Sequence, residues 1–195
     1  MGADVIDLVG STRAVLEGGP GGCRQSPAVT MRRREVERVI AGYAARGDAF
    51  HLTAPHRDGR GLAAAARAAL QDGACDAHEI DYVSAHGTGT PYNDRMETLA
   101  LKTAFGARAQ SVPISSVKGA LGHAFGAAGA IEAAVCLLAI RDGIVPPTAN
   151  LEEPDPECDL DFVPGRARRM TVRTALSVSA GFGGQNAALL IRGWP

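Results

Sequence analysis

Apolar residues recur at helical spacing in three stretches of the chain and gather into short β-type runs in four others. The two periods alternate from about residue 35 onward. Leu62, Ala66, Ala69 and Leu70 share one face of a helix expected over residues 62–72, with Gly73 as its stop. Residues 80–85 form an apolar run that reads as a strand and leads directly into His86-Gly87-Thr88-Gly89-Thr90. A second helix is expected to start near Asp94, with Asp94 as its cap and Glu97 closing a capping box. Met96, Leu99, Ala100 and Thr103 would line one side, and Gly106 would end it.

Residues 112–116 read as another strand. The Gly- and Ala-rich run at 118–129 then opens a third helix, on which Ile131, Ala134, Val135 and Leu138 fall at i, i+3, i+4 and i+7. Gly143 stops that helix, and Pro146-Pro147 prevents its renewal. Residues 174–179 and 187–192 read as two strands reversed by Gly181-Phe182-Gly183-Gly184. Helices alternating with short strands predict an α/β domain, a layered sheet with flanking helices, over residues 35–195. Residues 1–34 carry Gly18-Gly19-Pro20-Gly21-Gly22 and support no defined element, so they stand apart as an unassigned N-terminal arm.

Composition narrows the class. The 195 residues are 46% hydrophobic and 21% charged, which suffices for a globular core. No run approaches the roughly 20 apolar residues of a membrane span, so neither membrane nor secretion is expected and the expected location is cytoplasmic. Cys23, Cys75, Cys136 and Cys158 are scattered without a Cys-x-x-Cys pair, which argues against a disulfide framework or zinc knot. A net charge of −1 gives no field to attract nucleic acid, and Arg32, Arg33 and Arg34 read as a solvated run.

Two histidines sit in glycine-rich backbone at a strand end or a helix start, His86 in HGTGT and His123 in GHAFGAAG. Loops at strand ends are where layered α/β domains hold working groups. Either histidine alone reads more readily as a hydrogen-bonded structural residue than as a catalyst. The glycine runs match neither G-x-G-x-x-G nor G-x-x-x-x-G-K-[ST], so a nucleotide site is not indicated. The histidines lack i, i+4 pairing and an evident third ligand, although Asp94 or Glu97 could serve, so no metal is expected.

Taken together, VSAHGTGT, SSVKGALGHAFGAAG and GFGGQN, in this order and spacing, resemble the C-terminal half of the β-ketoacyl-(acyl carrier protein) synthases, within the thiolase-like fold. DAFHLTAP, Asn93-Asp94, IVPPT and CDLDFVP fall in the same order, so the resemblance spans about residues 35–195. It implies an acyltransferase that joins malonyl-acyl carrier protein to an acyl thioester by decarboxylative Claisen condensation in fatty acid or polyketide synthesis. By the resemblance, His86 and His123 donate to the thioester oxygen, and Lys118 with Glu132 fixes the position and protonation of His123. Phe182, flanked by Gly181 and Gly183, is a gate whose amide helps form an oxyanion hole. Thr88 and Thr90, with Thr53, hold the phosphopantetheine arm, and Asp94 supports the site. That arm belongs to the acyl carrier protein and arrives as substrate, so no separate cofactor is implied.

Two departures qualify the match. Ala180 stands where the family has a second phenylalanine, which leaves the acyl pocket undefined. The family's cysteine nucleophile belongs to its N-terminal half, and none of the four cysteines fits that motif. The chain therefore reads as one half of a condensing enzyme that needs an N-terminal half-synthase or an intact synthase subunit as partner. A non-catalytic, chain-length-factor-like subunit and an inactive gene fragment are the alternatives.

Overall fold

A computed structural model describes residues 38–193; the arm at 1–34, with Cys23 and the arginine cluster, lies outside the described residues. The central element is a mixed five-stranded sheet. Its strands are β1 (Arg38–Gly47), β2 (Tyr82–Ser84), β3 (Ile114–Ser115), β6 (Thr174–Gly181) and β7 (Gln185–Gly193), in spatial order β1-β7-β6-β2-β3. The β6-β7 hairpin and the β7-β1 pair are antiparallel, whereas β2 runs parallel to both β6 and β3. A separate antiparallel pair joins β4 (Ile144–Val145) to β5 (Arg168–Arg169).

Helices cover both faces. Helices α1 (Arg60–Asp72) and α2 (Pro91–Phe105) lie on one side, and α4 (Ala128–Asp142) lies on the other, preceded by the single turn α3 (Lys118–Leu121). The strands record this in their alternation. Val83, Leu176, Val178, Ala188 and Leu190 pack with Leu62, Ala66, Met96 and Leu101 on the first side. Tyr82, Ala175, Leu189 and Ile191 pack with Cys136 and Ala139 on the second. Side chains on a strand point alternately to opposite faces, so a sheet covered on both sides needs apolar residues at successive positions.

Several sequence expectations hold, including the helix ended by Gly73, the stop at Gly143 in the left-handed conformation, and the Gly-rich hairpin. Others are corrected. The expected strands at 80–85 and 112–116 shorten to three and two residues. Helix α2 starts at Pro91 behind Thr90, not at Asp94, because proline at the first helical position suits the fixed φ and lacks only an N–H the helix does not use. Asp94 therefore lies in the first turn, and Leu99 and Thr103 face outward while Asn93, Met96, Glu97, Ala100 and Leu101 are buried. On α4 the buried stripe is Ala128, Glu132, Cys136 and Ala139, and the expected apolar face is left partly open, with Leu138 46% exposed. Strand β1 was not foreseen, since its RVIAGYAARG sequence has glycines and arginines among its few apolar residues.

Strand β1 crosses the end of α1 closely enough to require glycine. A β-carbon on Gly42, beside the register shift in β1, would stand against the Ala69 carbonyl and 2.7 Å from the Gly73 nitrogen. Both obstacles are backbone. Gly42→Ala should therefore lower stability by about 1–3 kcal/mol, the usual cost of overpacking, read as a reduced midpoint in urea unfolding.

Candidate active site

The site is assembled where β2 and β3 end and α2, α3 and α4 begin. Strand β2 delivers His86 and Gly87, whose backbone N–H groups donate to the two oxygens of Glu97 at 2.7 and 2.9 Å. The Asn93 amide adds a third donor to Glu97 at 3.2 Å. Glu97 is buried, so this carboxylate ties the HGTGT loop to α2 rather than capping the helix. Burial pushes its pKa up to about 7, against the pull of the Gly87 and His86 N–H groups. Gly87 adopts a positive φ, and a β-carbon there would lie 2.9 Å from the Ser116 hydroxyl, which itself donates to the Gly87 carbonyl.

Beneath this loop lies a buried ion pair. Lys118, at the start of α3, pairs with Glu132 of α4, and the second Glu132 oxygen accepts from the Ser179 hydroxyl of β6 at 3.2 Å. The Lys118 ammonium stands 3.5 Å from Nδ1 of His86. The pair was expected to fix His123, but its hydrogen-bonding contact is with His86. The turn at Gly122, with its positive φ, lifts His123 beyond that contact and leaves it far more exposed than His86.

The two imidazoles meet edge to face, with ring centroids 5.5 Å apart and planes at 81°. Each has its Nδ1 supplied with a donor: Lys118 for His86, and the Phe125 backbone N–H, at 3.2 Å, for His123. A neutral imidazole carries one proton, so an accepting Nδ1 places that proton on Nε2, and both rings become Nε2–H donors. Neutrality is enforced electrostatically. Burial, then Lys118 and His123, lower the pKa of His86 to about 3. Burial and then Lys118 also lower that of His123. The Phe125 ring stacks on His123 at 5.3 Å, with its backbone at φ 48°, an uncommon conformation for a bulky residue.

A cavity of about 510 Å³ opens beside His123 and Lys118 and collects Thr88, Thr90 and Asp94 from the expected set. In this structure the Thr88 and Thr90 hydroxyls bond each other at 2.9 Å. The cavity also takes in Ser116, Thr148 and Asn150, which sequence reasoning did not single out as site residues although two of them lie within the SSVKG and IVPPT motifs.

Thr53, Gly181, Phe182 and Gly183 do not line this cavity. They form a second group, in which the 48–55 loop is stapled to the β6-β7 hairpin. The Gly183 N–H donates to the Leu52 carbonyl at 2.6 Å, the Asp48 N–H to the Gly184 carbonyl at 2.8 Å, and the Asn186 amide to Asp48 at 2.9 Å. With its N–H committed to Leu52, Gly183 offers no free amide to a ligand. Phe182 stands 78% exposed at the hairpin tip. No described cysteine is an activated nucleophile: the Cys136 thiol is pushed up to about 12 by burial in α4, and burial also raises Cys75 and Cys158.

Among the described residues no helix is long and apolar enough to cross a membrane, and no three His, Cys, Asp or Glu side chains gather as a metal site.

Residues 38–152 match the family described as β-ketoacyl synthase, C-terminal domain. The chain is 53% identical over 166 residues to the tetracenomycin polyketide synthase ketoacyl synthase alpha subunit of Streptomyces glaucescens, covering 85% of this chain and 39% of that protein. It is 49% identical over 161 residues to the 3-oxoacyl-[acyl-carrier-protein] synthase 2 of a Synechocystis strain, covering 83% of this chain and 39% of that one. Among solved structures, a type II polyketide ketosynthase in complex with its acyl-carrier protein aligns with TM-score 0.78 at 38% identity, over 80% of this chain and 38% of that one. The ishigamide ketosynthase/chain length factor aligns with TM-score 0.76 at 44% identity, over 80% and 38%. The chain thus spans about two fifths of the length of these relatives. With residues 38–152 matching that domain and relatives near 50% identical over more than four fifths of this chain, the chain belongs to the β-ketoacyl synthase family and corresponds to its C-terminal domain.

Proposed function

We propose that this chain supplies the histidine half of a condensing enzyme, in which His86 and His123 stabilise negative charge on the thioester oxygen of malonyl-acyl carrier protein. The observation that carries the reading is the pair of imidazoles with ring centroids 5.5 Å apart, each with Nδ1 facing a donor. In the reaction, the bond between the malonyl carboxylate and its neighbouring carbon breaks. Carbon dioxide leaves, and the electron pair moves into an enolate whose oxygen accepts from the two Nε2–H groups. The enolate carbon then attacks an acyl group held on a cysteine, forming a carbon–carbon bond and releasing the thiolate. Donors fixed in place before charge develops need no reorganisation, and this is typically the largest electrostatic contribution to catalysis.

None of the described cysteines suits the role of nucleophile, and we infer that an N-terminal half supplies it. Relatives of known structure pair a ketosynthase with an acyl-carrier protein or a chain length factor. The surface of this chain has room for a second half. Leu121, Leu137, Leu138 and Phe125 are exposed around α3 and α4, beside a shallow depression lined by Val117, Leu121, Ala124 and Ile131. An N-terminal half packed there would cover this apolar face and bring a nucleophile toward the histidines. The cavity holding Thr88 and Thr90 suits the amide-bearing phosphopantetheine arm, and Thr53 and Phe182 would act at the neighbouring hairpin. A non-catalytic, chain-length-factor-like role would have no chemical need for two imidazoles with prearranged tautomers.

Three outcomes follow. Carbon dioxide release from malonyl-acyl carrier protein is expected when the chain is combined with the N-terminal portion of the tetracenomycin subunit. His86→Ala or His123→Ala should each lower that release by about 10²–10³-fold. Turnover unchanged in both variants would remove the proposed chemistry. The isolated chain should bind a hydrophobic dye strongly, and addition of the same N-terminal portion should reduce the signal.

The neutrality of His86 has its own signature in stability. Its folded pKa lies below the unfolded value near 6.5, so its contribution is full above about pH 6.5 and is lost as pH falls toward 3. Relative to His86→Asn, the wild-type chain should lose roughly 2 kcal/mol of stability between pH 7.5 and 4.5, read from denaturant unfolding at both values.

A further inference from the structure

We propose that Ser179 is a positioning residue for the histidine pair: its hydroxyl holds the Glu132 carboxylate, which in turn holds the Lys118 ammonium against Nδ1 of His86. Its catalytic consequence rests on the proposed function, whereas the link to Glu132 stands on geometry alone.

Glu132 is 1% exposed and uses one oxygen for Lys118 and the other for Ser179. A carboxylate taken out of water stays ionised only when its oxygens find donors, and burial here already raises the pKa of Glu132 against the opposing pull of Lys118 and Ser179. The other titratable groups facing Glu132 offer no positive charge. Tyr82 of β2 and Cys136 of α4 both have their ionisation pushed upward by burial, so they remain a neutral phenol and a neutral thiol. Lys118 is shared, since its field also reaches Glu97, His86 and His123.

The position of Ser179 follows from the sheet. Ala175 of β6 packs on the α4 side, so Ser177 and Ser179 lie on that side by the two-residue period. Pairing with Ala187 of β7 fixes the backbone of Ser179. Its hydroxyl is thus held by a rigid element, three residues before the exposed Phe182. Without it, Glu132 would keep a single donor and take up a proton at higher pH. A neutral Glu132 would then release the ammonium that sets the His86 tautomer.

The test uses the full chain with ¹³C-labelled glutamate side chains, the Glu132 resonance being assigned by its loss in Glu132→Gln. Ser179→Ala should raise the Glu132 titration midpoint by about one pH unit or more, a tenfold weakening of ionisation, while Ser179→Thr stays near wild type. Should the alanine variant fail to fold, Ser179→Val against Ser179→Thr gives the same comparison at matched volume. In the carbon dioxide assay, reconstituted as above, the hydroxyl-free variant should lose rate, most at the acid end of the profile, and regain it as pH rises, with threonine rescuing it. A midpoint unmoved by loss of the hydroxyl, or moved equally by threonine and the hydroxyl-free residues, would overturn the inference. Absence of carbon dioxide release from the wild-type assembly would instead defeat the proposed function, and the titration would still decide the role of Ser179.

Discussion

A buried ammonium beside a histidine is the constraint around which this site is organised. Lys118 cannot be taken out of water alone, because an unpaired buried charge costs several kcal/mol, and Glu132 is its partner. Placing that pair against His86 does two things at once. Burial and then the positive charge lower the pKa of the ring and keep it neutral, and the ammonium N–H directs the ring proton to the far nitrogen. A surface lysine would do neither, since solvent would screen its field and leave its direction unfixed.

The rest of the local structure serves that arrangement. Glu97 performs for the backbone what Glu132 performs for the ion pair, collecting two consecutive N–H groups so that the His86 loop keeps its path. Gly87 lets that loop pass against Ser116 where no side chain would fit. On the other histidine, the Phe125 N–H substitutes for a charged donor, and the ring above it limits rotation of the imidazole. Two histidines of the same protonation are thus obtained by different means, one deeply buried and one nearer to solvent.

The buried apolar cluster is larger on the α1 and α2 side of the sheet than on the α4 side. Leu62, Ala66, Met96, Leu101 and the sheet between them form a closed cluster. By contrast, α4 buries small or polar residues, Ala128, Glu132, Cys136 and Ala139, against the sheet and turns Leu137 and Leu138 outward. A helix that is apolar all round is normally covered on all sides, which is the physical basis for expecting a second half above it.

The fold class, the helix stops at Gly73, Gly106 and Gly143, and the hairpin were legible along the chain, and the two histidines were joined there by the resemblance to a family. Those features depend on local periodicity, on glycine's access to positive φ at Gly106 and Gly143, and on motifs that stay together along the chain. The sequence misjudged features that depend on partners distant in sequence. Asp94 and Glu97 have the spacing of a capping box, but Pro91 starts the helix earlier, and Glu97 is claimed by backbone donors eleven and ten residues away. Ile131, Ala134, Val135 and Leu138 have helical spacing, but the sheet takes the stripe through Glu132 and Cys136. Which imidazole Lys118 touches, and that Ser179 reaches Glu132 across 47 residues, follow from packing between elements far apart in the chain. Periodicity states that a face exists, whereas the packing of the sheet against α4 selects the face, because the buried carboxylate must find its two donors there.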